Sequence, residues 1–105
     1  MFRSCAVAFL FLLLALTSSA AETSRQVWVR SKCALCHGMD GSGLTDAGRS
    51  SKAPDLRTPE IQKLSNIALA NSIAAGHKGM PSFRKQVDAE RVRLLIEYIR
   101  ALPAK

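Results

Sequence analysis

Residues 31–40 read SKCALCHGMD: Cys33 and Cys36 stand three positions apart, and His37 directly follows the second. The 105-residue chain has one other cysteine, Cys5, near its start. That start, MFRSCAVAFLFLLLALTSSAAETS, places Arg3 before an unbroken apolar run from Ala6 to Leu16. The small residues Ser18, Ser19, Ala20 and Ala21 follow. A short positive beginning, an apolar middle and a small-residue end are the plan of a secretory signal peptide. The run is shorter than the roughly 20 residues a membrane-spanning helix needs. Residues 1–20 are therefore expected to be a cleaved signal peptide, cut after Ala20 or Ala21, and residues 21–105 the mature domain in the periplasm. Cys5 precedes the apolar run instead of ending it, so it is not placed for lipidation and leaves with the leader. Cys33 and Cys36 remain as an isolated pair in an exported protein.

A domain this small buries only about 60% of the surface its unfolded chain exposes. Such domains usually add disulfides, a metal or a partner. With two cysteines there is no disulfide framework, so a bound group is expected. Lys and Arg number 15 against 8 Asp and Glu, for a net charge of +7; only Arg3 of these lies in the leader, which leaves +6. A positive field favours anionic partners and speeds their encounter. The basic residues are scattered, with one Trp and one Tyr in the chain. No basic-aromatic stripe for nucleic acid results, and export points the same way.

The mature chain reads as an all-α domain of three to five short helices, with no run that alternates as a strand does. The first helix is expected over 24–35, capped by Ser24. Residues 38–55, GMDGSGLTDAGRSSKAPD, are dense in Gly, Ser and Asp and read as a loop. Thr58 suits an N-cap, Pro59 the first helical position and Glu60 the positive end of the dipole, so a short helix should run from Pro59 to about Leu64. Ser65 caps a second, NIALANSIAA, which Gly76 ends. Asp88 caps the last. There Val92, Leu95, Ile96, Ile99 and Leu102 form one apolar face, and Arg93, Glu97 and Arg100 take the other side, where Glu97 can pair with either arginine.

Three chemistries compete for the cysteine pair. A thioredoxin-like dithiol sits at a strand-to-helix junction of a mixed fold, and this chain shows no strands. A structural zinc wants four protein ligands, whereas only Cys33, Cys36, His37 and the distant His77 are on offer. Cys33-Ala34-Leu35-Cys36-His37 matches C-x-x-C-H, the attachment motif for a c-type haem. Two thiols must reach two vinyl groups of one macrocycle, and a short turn sets that span. The next imidazole is then placed to bind the iron from the face the backbone crosses. His37 is thus one axial ligand. For the opposite face the chain offers Met39, His77 and Met80. Met39 is too near His37 to reach around the macrocycle. Met80 lies in GHKGMPSF outside any helical stripe, where Gly79 permits close backbone approach and Pro81 stiffens the loop. It is preferred over His77.

At this point the chain resembles a class I monohaem cytochrome c of the short bacterial kind, over nearly all of residues 24–103. CALCHGMDGSG resembles the family's haem-attachment helix and the glycine-rich loop behind it. APDL at 53–56 resembles the segment whose proline carbonyl accepts a hydrogen bond from the proximal imidazole, which gives Pro54 that role toward His37. GHKGMPSF resembles the axial-methionine loop, and LLIEYIRAL the closing helix that crosses the first helix near an aromatic, with Leu95 and Tyr98 matching that side. On the first helix the family's glycine is missing, and Trp28 lies one place from the usual aromatic position, which Val29 fills.

The resemblance implies one covalently attached haem c, held through Cys33 and Cys36, with His37 and Met80 as axial ligands. Both axial sites being filled by protein, it implies outer-sphere electron transfer and not catalysis. Leu35, Leu56, Leu64, Ile67, Ile73, Phe83, Leu95 and Ile99 are candidate walls of its pocket. Lys32, Lys52, Lys78, Arg84 and Lys85 flank the expected haem edge and suit acidic docking surfaces on redox proteins. A monomer is expected, with at most peripheral membrane association. Two other roles fit: an electron-entry subunit of a periplasmic oxidoreductase complex, and a haem-based ligand sensor in which Met80 is displaced or exchanged for His77.

Overall fold

The computed structural model describes residues 20–105. The expected signal peptide lies outside them apart from Ala20. Six helices follow one another: α1 (Ser24–Arg30), α2 (Cys33–His37), α3 (Asp46–Ser51), α4 (Pro59–Gln62), α5 (Asn66–Ala75) and α6 (Ala89–Arg100). The described residues contain no strand beyond an isolated pairing of His77 with Met80.

The stretch expected as one helix over 24–35 is two. The cap is Thr23, one residue before Ser24: its hydroxyl accepts from the Gln26 amide at 3.1 Å, and its own amide donates to the Gln26 side chain at 2.9 Å. This T-x-x-Q box satisfies two donors that the first turn leaves free. The helix ends at Ser31, and Lys32 swings to a left-handed φ of 64° before α2 begins. On one unbroken helix, five residues at about 100° each would turn Cys33 some 140° away from Trp28. The break lets both face inward: Val27 and Trp28 are buried on α1, and Cys33 and His37 on α2.

The supposed loop 38–55 contains α3. Thr45 caps it, accepting from the Gly48 amide at 2.8 Å, and Asp46 opens its first turn. The helix packs so tightly on α2 that a Cβ on Gly48 would fall 2.2 Å from the Cys36 carbonyl oxygen and 2.3 Å from that of Gly43. At the far end of α3, a Cβ on Gly79 would fall 2.4 Å from the Ser51 carbonyl oxygen. One short helix therefore touches both the cysteine segment and the Met80 loop.

Pro59 opens α4 as expected, but the helix stops at Gln62, and the Thr58 hydroxyl donates to the Asp55 carbonyl at 3.2 Å instead of capping. Ser65 does cap α5, accepting from the Ala68 amide at 3.0 Å. Asp88 does the same for α6, accepting from the Arg91 amide at 2.8 Å. The buried face of α6 is wider than the pattern indicated and holds Leu94, Leu95, Ile96 and Ile99, while Val92 and Leu102 are half-buried. Glu97 pairs with Arg93 at 3.3 Å. Arg100 is used differently: its guanidinium donates to the Gln62 carbonyl at 2.8 Å, the Leu64 carbonyl and the Asn66 side chain, and so fastens the α4–α5 junction to α6.

Helix α6 packs against α1 and α5, and α1 also against α2. Trp28, Leu95 and Val27 are the fully buried side chains at the centre. Segment 55–57 is held by a forked ion pair: Asp55 accepts from Arg57 Nε at 3.0 Å and Nη2 at 2.9 Å, and from Lys105 Nζ at 3.3 Å.

Replacing an exposed helical glycine by alanine normally stabilises by about 1 kcal/mol. Gly48→Ala should instead lose about 1–3 kcal/mol, because two backbone oxygens occupy the new methyl's place and must move; a lower urea midpoint is the expected result. The Arg57 guanidinium holds the Asp55 carboxyl well below the usual carboxylate range. Its stabilising contribution is therefore complete above an unfolded-state pKa of about 3.9 and disappears as pH falls through the lower folded value. Asp55→Asn should lower the melting temperature at neutral pH, and melting curves of the two proteins should converge in acid.

Candidate functional site

Helix α2 has only five residues, so its direction is set by what holds its ends. Its last turn is gripped by Thr45, whose hydroxyl lies 2.7 Å from the Leu35 carbonyl oxygen and 2.9 Å from that of Cys36. Beyond α2 the chain turns at Gly38, and the Gly43 amide returns to donate to the His37 carbonyl at 2.9 Å. Two aromatics hold the residues that follow His37. Trp28 Nε1 donates to the Gly38 carbonyl at 3.1 Å, and the Tyr98 hydroxyl donates to the Met39 carbonyl. The two rings stack at 4.5 Å with an interplanar angle of 18°, and the indole also lies 5.9 Å from the His37 ring. Trp28, one place from where the resemblance put the aromatic, thus makes the crossing contact with Tyr98.

His37 is 8% exposed, and its Nδ1 has no hydrogen-bond partner. Burial lowers its pKa below the ordinary histidine value, and the Pro54 carbonyl partly opposes this by favouring the protonated ring. That carbonyl acts on the ring without reaching hydrogen-bond geometry. Segment 53–56 is brought there by the Leu56 amide, which donates to the Gly41 carbonyl at 2.8 Å. The ring is therefore neutral at pH 7, the form in which imidazole binds a metal.

The two thiols are not joined to each other, Cys33 being buried and Cys36 half-buried. Burial pushes the Cys33 thiol up to about 11, and nearby Cys36 adds to the rise. A dithiol oxidoreductase needs the opposite, a thiol whose pKa is lowered. Nor do these side chains converge as ligands of a bare ion: among the described residues no three His, Cys, Asp or Glu side chains are grouped to hold one. What α2 presents is a thiol and an imidazole four residues apart on one inward face, with a second thiol beside them. The His37 ring, neutral and without a full hydrogen bond in the chain, is in the form that ligates a metal. Two unpaired thiols and a neutral imidazole fit covalent attachment of a haem whose iron takes the His37 nitrogen.

Met80 is half-buried and packs against the same cluster that contains Cys33, whereas His77 is exposed. The pair form a tight reverse turn: each amide donates to the other's carbonyl, at 3.0 and 2.8 Å, with Lys78 at φ 48°. Met39 is 39% exposed. Of the expected pocket walls, Leu56, Ile73, Leu95 and Ile99 are buried in that cluster and Phe83 packs against it. Leu35, Leu64 and Ile67 stand outside it, exposed. The Thr45 grip and the Trp28 indole bond went unread; a threonine two residues before an alanine in a Gly-rich run, and a tryptophan among valines, were the only signs.

A family model described as cytochrome c oxidase, cbb3-type, subunit III, matches residues 19–99. No curated protein and no solved structure matches the chain. The all-α architecture, the inward thiol–imidazole face of α2 and a match over most of the length carry one conclusion: the chain belongs to this cbb3-type family of class I cytochromes c.

Proposed function

We propose that this protein is an exported one-electron carrier of the periplasm, with a single haem c bound through Cys33 and Cys36 and ligated by His37 and Met80. The observation that carries this reading is the buried His37 ring set four residues from a buried free thiol, with a second free thiol beside it. Bound haem c supplies an Fe(III)/Fe(II) couple. The chain supplies its setting. The Pro54 carbonyl beside the His37 ring favours positive charge on it, which would raise its basicity as a ligand, and the Trp28 indole packs near it. Met80 faces the core where His77 faces solvent, and a thioether ligand favours the reduced state. The buried side chains of Leu56, Ile73 and Leu95 exclude water and disfavour the extra positive charge of the oxidised state. With protein on both axial positions the role is carriage and not catalysis.

Lys32, Lys52 and Lys78 support docking to acidic redox proteins in a second way. They are the only non-glycine residues with positive φ among those described, at 64°, 58° and 48°, and all three are exposed. A left-handed residue with a side chain costs roughly 1–2 kcal/mol. Strain of this kind is retained where function requires the side chain.

A second reading, an electron-entry subunit of an oxidoreductase complex, is favoured by the subunit description of the matching family. Co-purification of the tagged protein with a larger assembly decides between the two.

Met80→Ala should abolish the far-red charge-transfer band of methionine-ligated ferric haem and lower the reduction potential, and His77→Ala should change neither. Absence of that band from the unaltered protein, with a potential that shifts in His77→Ala and not in Met80→Ala, moves the ligand to His77. In denaturing gels stained for haem, Cys33→Ser and Cys36→Ser should each weaken the band, and the double variant should lose it.

A further inference from the structure

Between the end of α1 and the start of α6 lies a cleft of about 400 Å³. Its lining includes Arg30, Lys32, Arg91, Phe83 and Glu22. Lys32 immediately precedes Cys33, and Phe83 comes three residues after Met80, so the cleft opens beside both segments of the haem site. The Glu22 carboxylate occupies its cationic side. One oxygen lies 3.2 Å from Arg30 Nη1 and the other 3.1 Å from Arg91 Nε.

This grip differs from the forked arginine–carboxylate pairs among the described residues, Arg57 on Asp55 and Arg93 on Glu90. Arg57 holds Asp55 in a fork of two parallel bonds, with the partners 25% and 15% exposed. In the cleft the carboxylate is split between two arginines, one bond to each, and the arginines are 69% and 47% exposed. Neither guanidinium uses its fork on Glu22, and a bidentate carboxylate is the better match for arginine. Arg91 has one further anionic neighbour, Asp88, at 3.9 Å. Glu22 itself precedes the Thr23 cap, outside α1, so the side chain can leave without unwinding a helix.

We propose that this cleft receives an acidic side chain of the redox partner, and that Glu22 is a built-in competitor for Arg30 and Arg91 that the partner's carboxylate displaces. The inference rests on the carrier reading, since it places the partner beside the haem. It makes the grip self-limiting: the chain's own carboxylate returns to the arginines as the partner leaves, which suits a carrier that must dissociate after each transfer.

The test uses the haem-loaded protein on a gold electrode coated with a carboxylate-terminated monolayer, recording adsorbed mass and voltammetric current together over a range of ionic strength. Glu22→Gln should bind about two- to fivefold more tightly than the unaltered protein, the range expected when an exposed ion pair is released. It should also clearly exceed Glu60→Gln, which makes the same change of charge on α4. Arg30→Gln and Arg91→Gln should weaken binding more than Arg25→Gln. Melting temperatures of the variants separate docking from mere loosening of α1 against α6. Equal binding by Glu22→Gln and Glu60→Gln overturns the competitor role even if current flows. Masses in the expected order without any current overturn the carrier reading and with it the redox partner assigned to the cleft.

Discussion

The structure depends on where α2 points. A thiol and an imidazole four residues apart become useful only if both face inward, and the preceding helix cannot deliver them there while Val27 and Trp28 are also buried. The left-handed step at Lys32 resolves the conflict. Everything around α2 then serves to hold its direction: Thr45 at its last turn, Gly43 returning to the His37 carbonyl, and the stacked pair Trp28 and Tyr98 on the two carbonyls that follow. A helix of five residues has little stability of its own. Its placement is a tertiary property, supplied by three segments: α1, the stretch from Gly43 to Thr45, and the distant α6.

The same economy explains the charges. Inside the fold, arginines take permanent partners: Arg57 with Asp55, and Arg100 with the carbonyls that end α4. At the surface the pattern varies: Arg93 forks onto Glu90, whereas Arg30 and Arg91 share Glu22, and three lysines occupy backbone positions that glycine would fill at lower cost. A domain with a small core has few kcal/mol to spare, and three left-handed lysines draw on that margin.

Much of this was readable in the residues. C-x-x-C-H carries its chemistry in its spacing, and the caps Ser65 and Asp88 with Pro59 marked three helices because each satisfies a local rule. Two features were not readable, for one reason. The Ser31–Lys32 break has no proline or glycine to announce it, since it is imposed by burying residues on both sides. Helix α3 was hidden by Gly48, a poor helix former that is there because the Cys36 carbonyl leaves no room for a methyl group. Local propensity gave way in both places to contacts between segments far apart, which no window along the chain contains.

The hydrogen bond from Tyr98 to Met39 spans 59 residues, and the ion pair of Arg91 with Glu22 spans 69. The chain's closing contacts thus join its first element to its last, and none forms until α6 has been made. Contacts of such long sequence separation are slow to form. Until they do, Cys33 is accessible to solvent and free of the burial that suppresses its ionisation in the finished fold. A reagent meets that sulfur more readily in the open chain than after the terminal helix has packed over it.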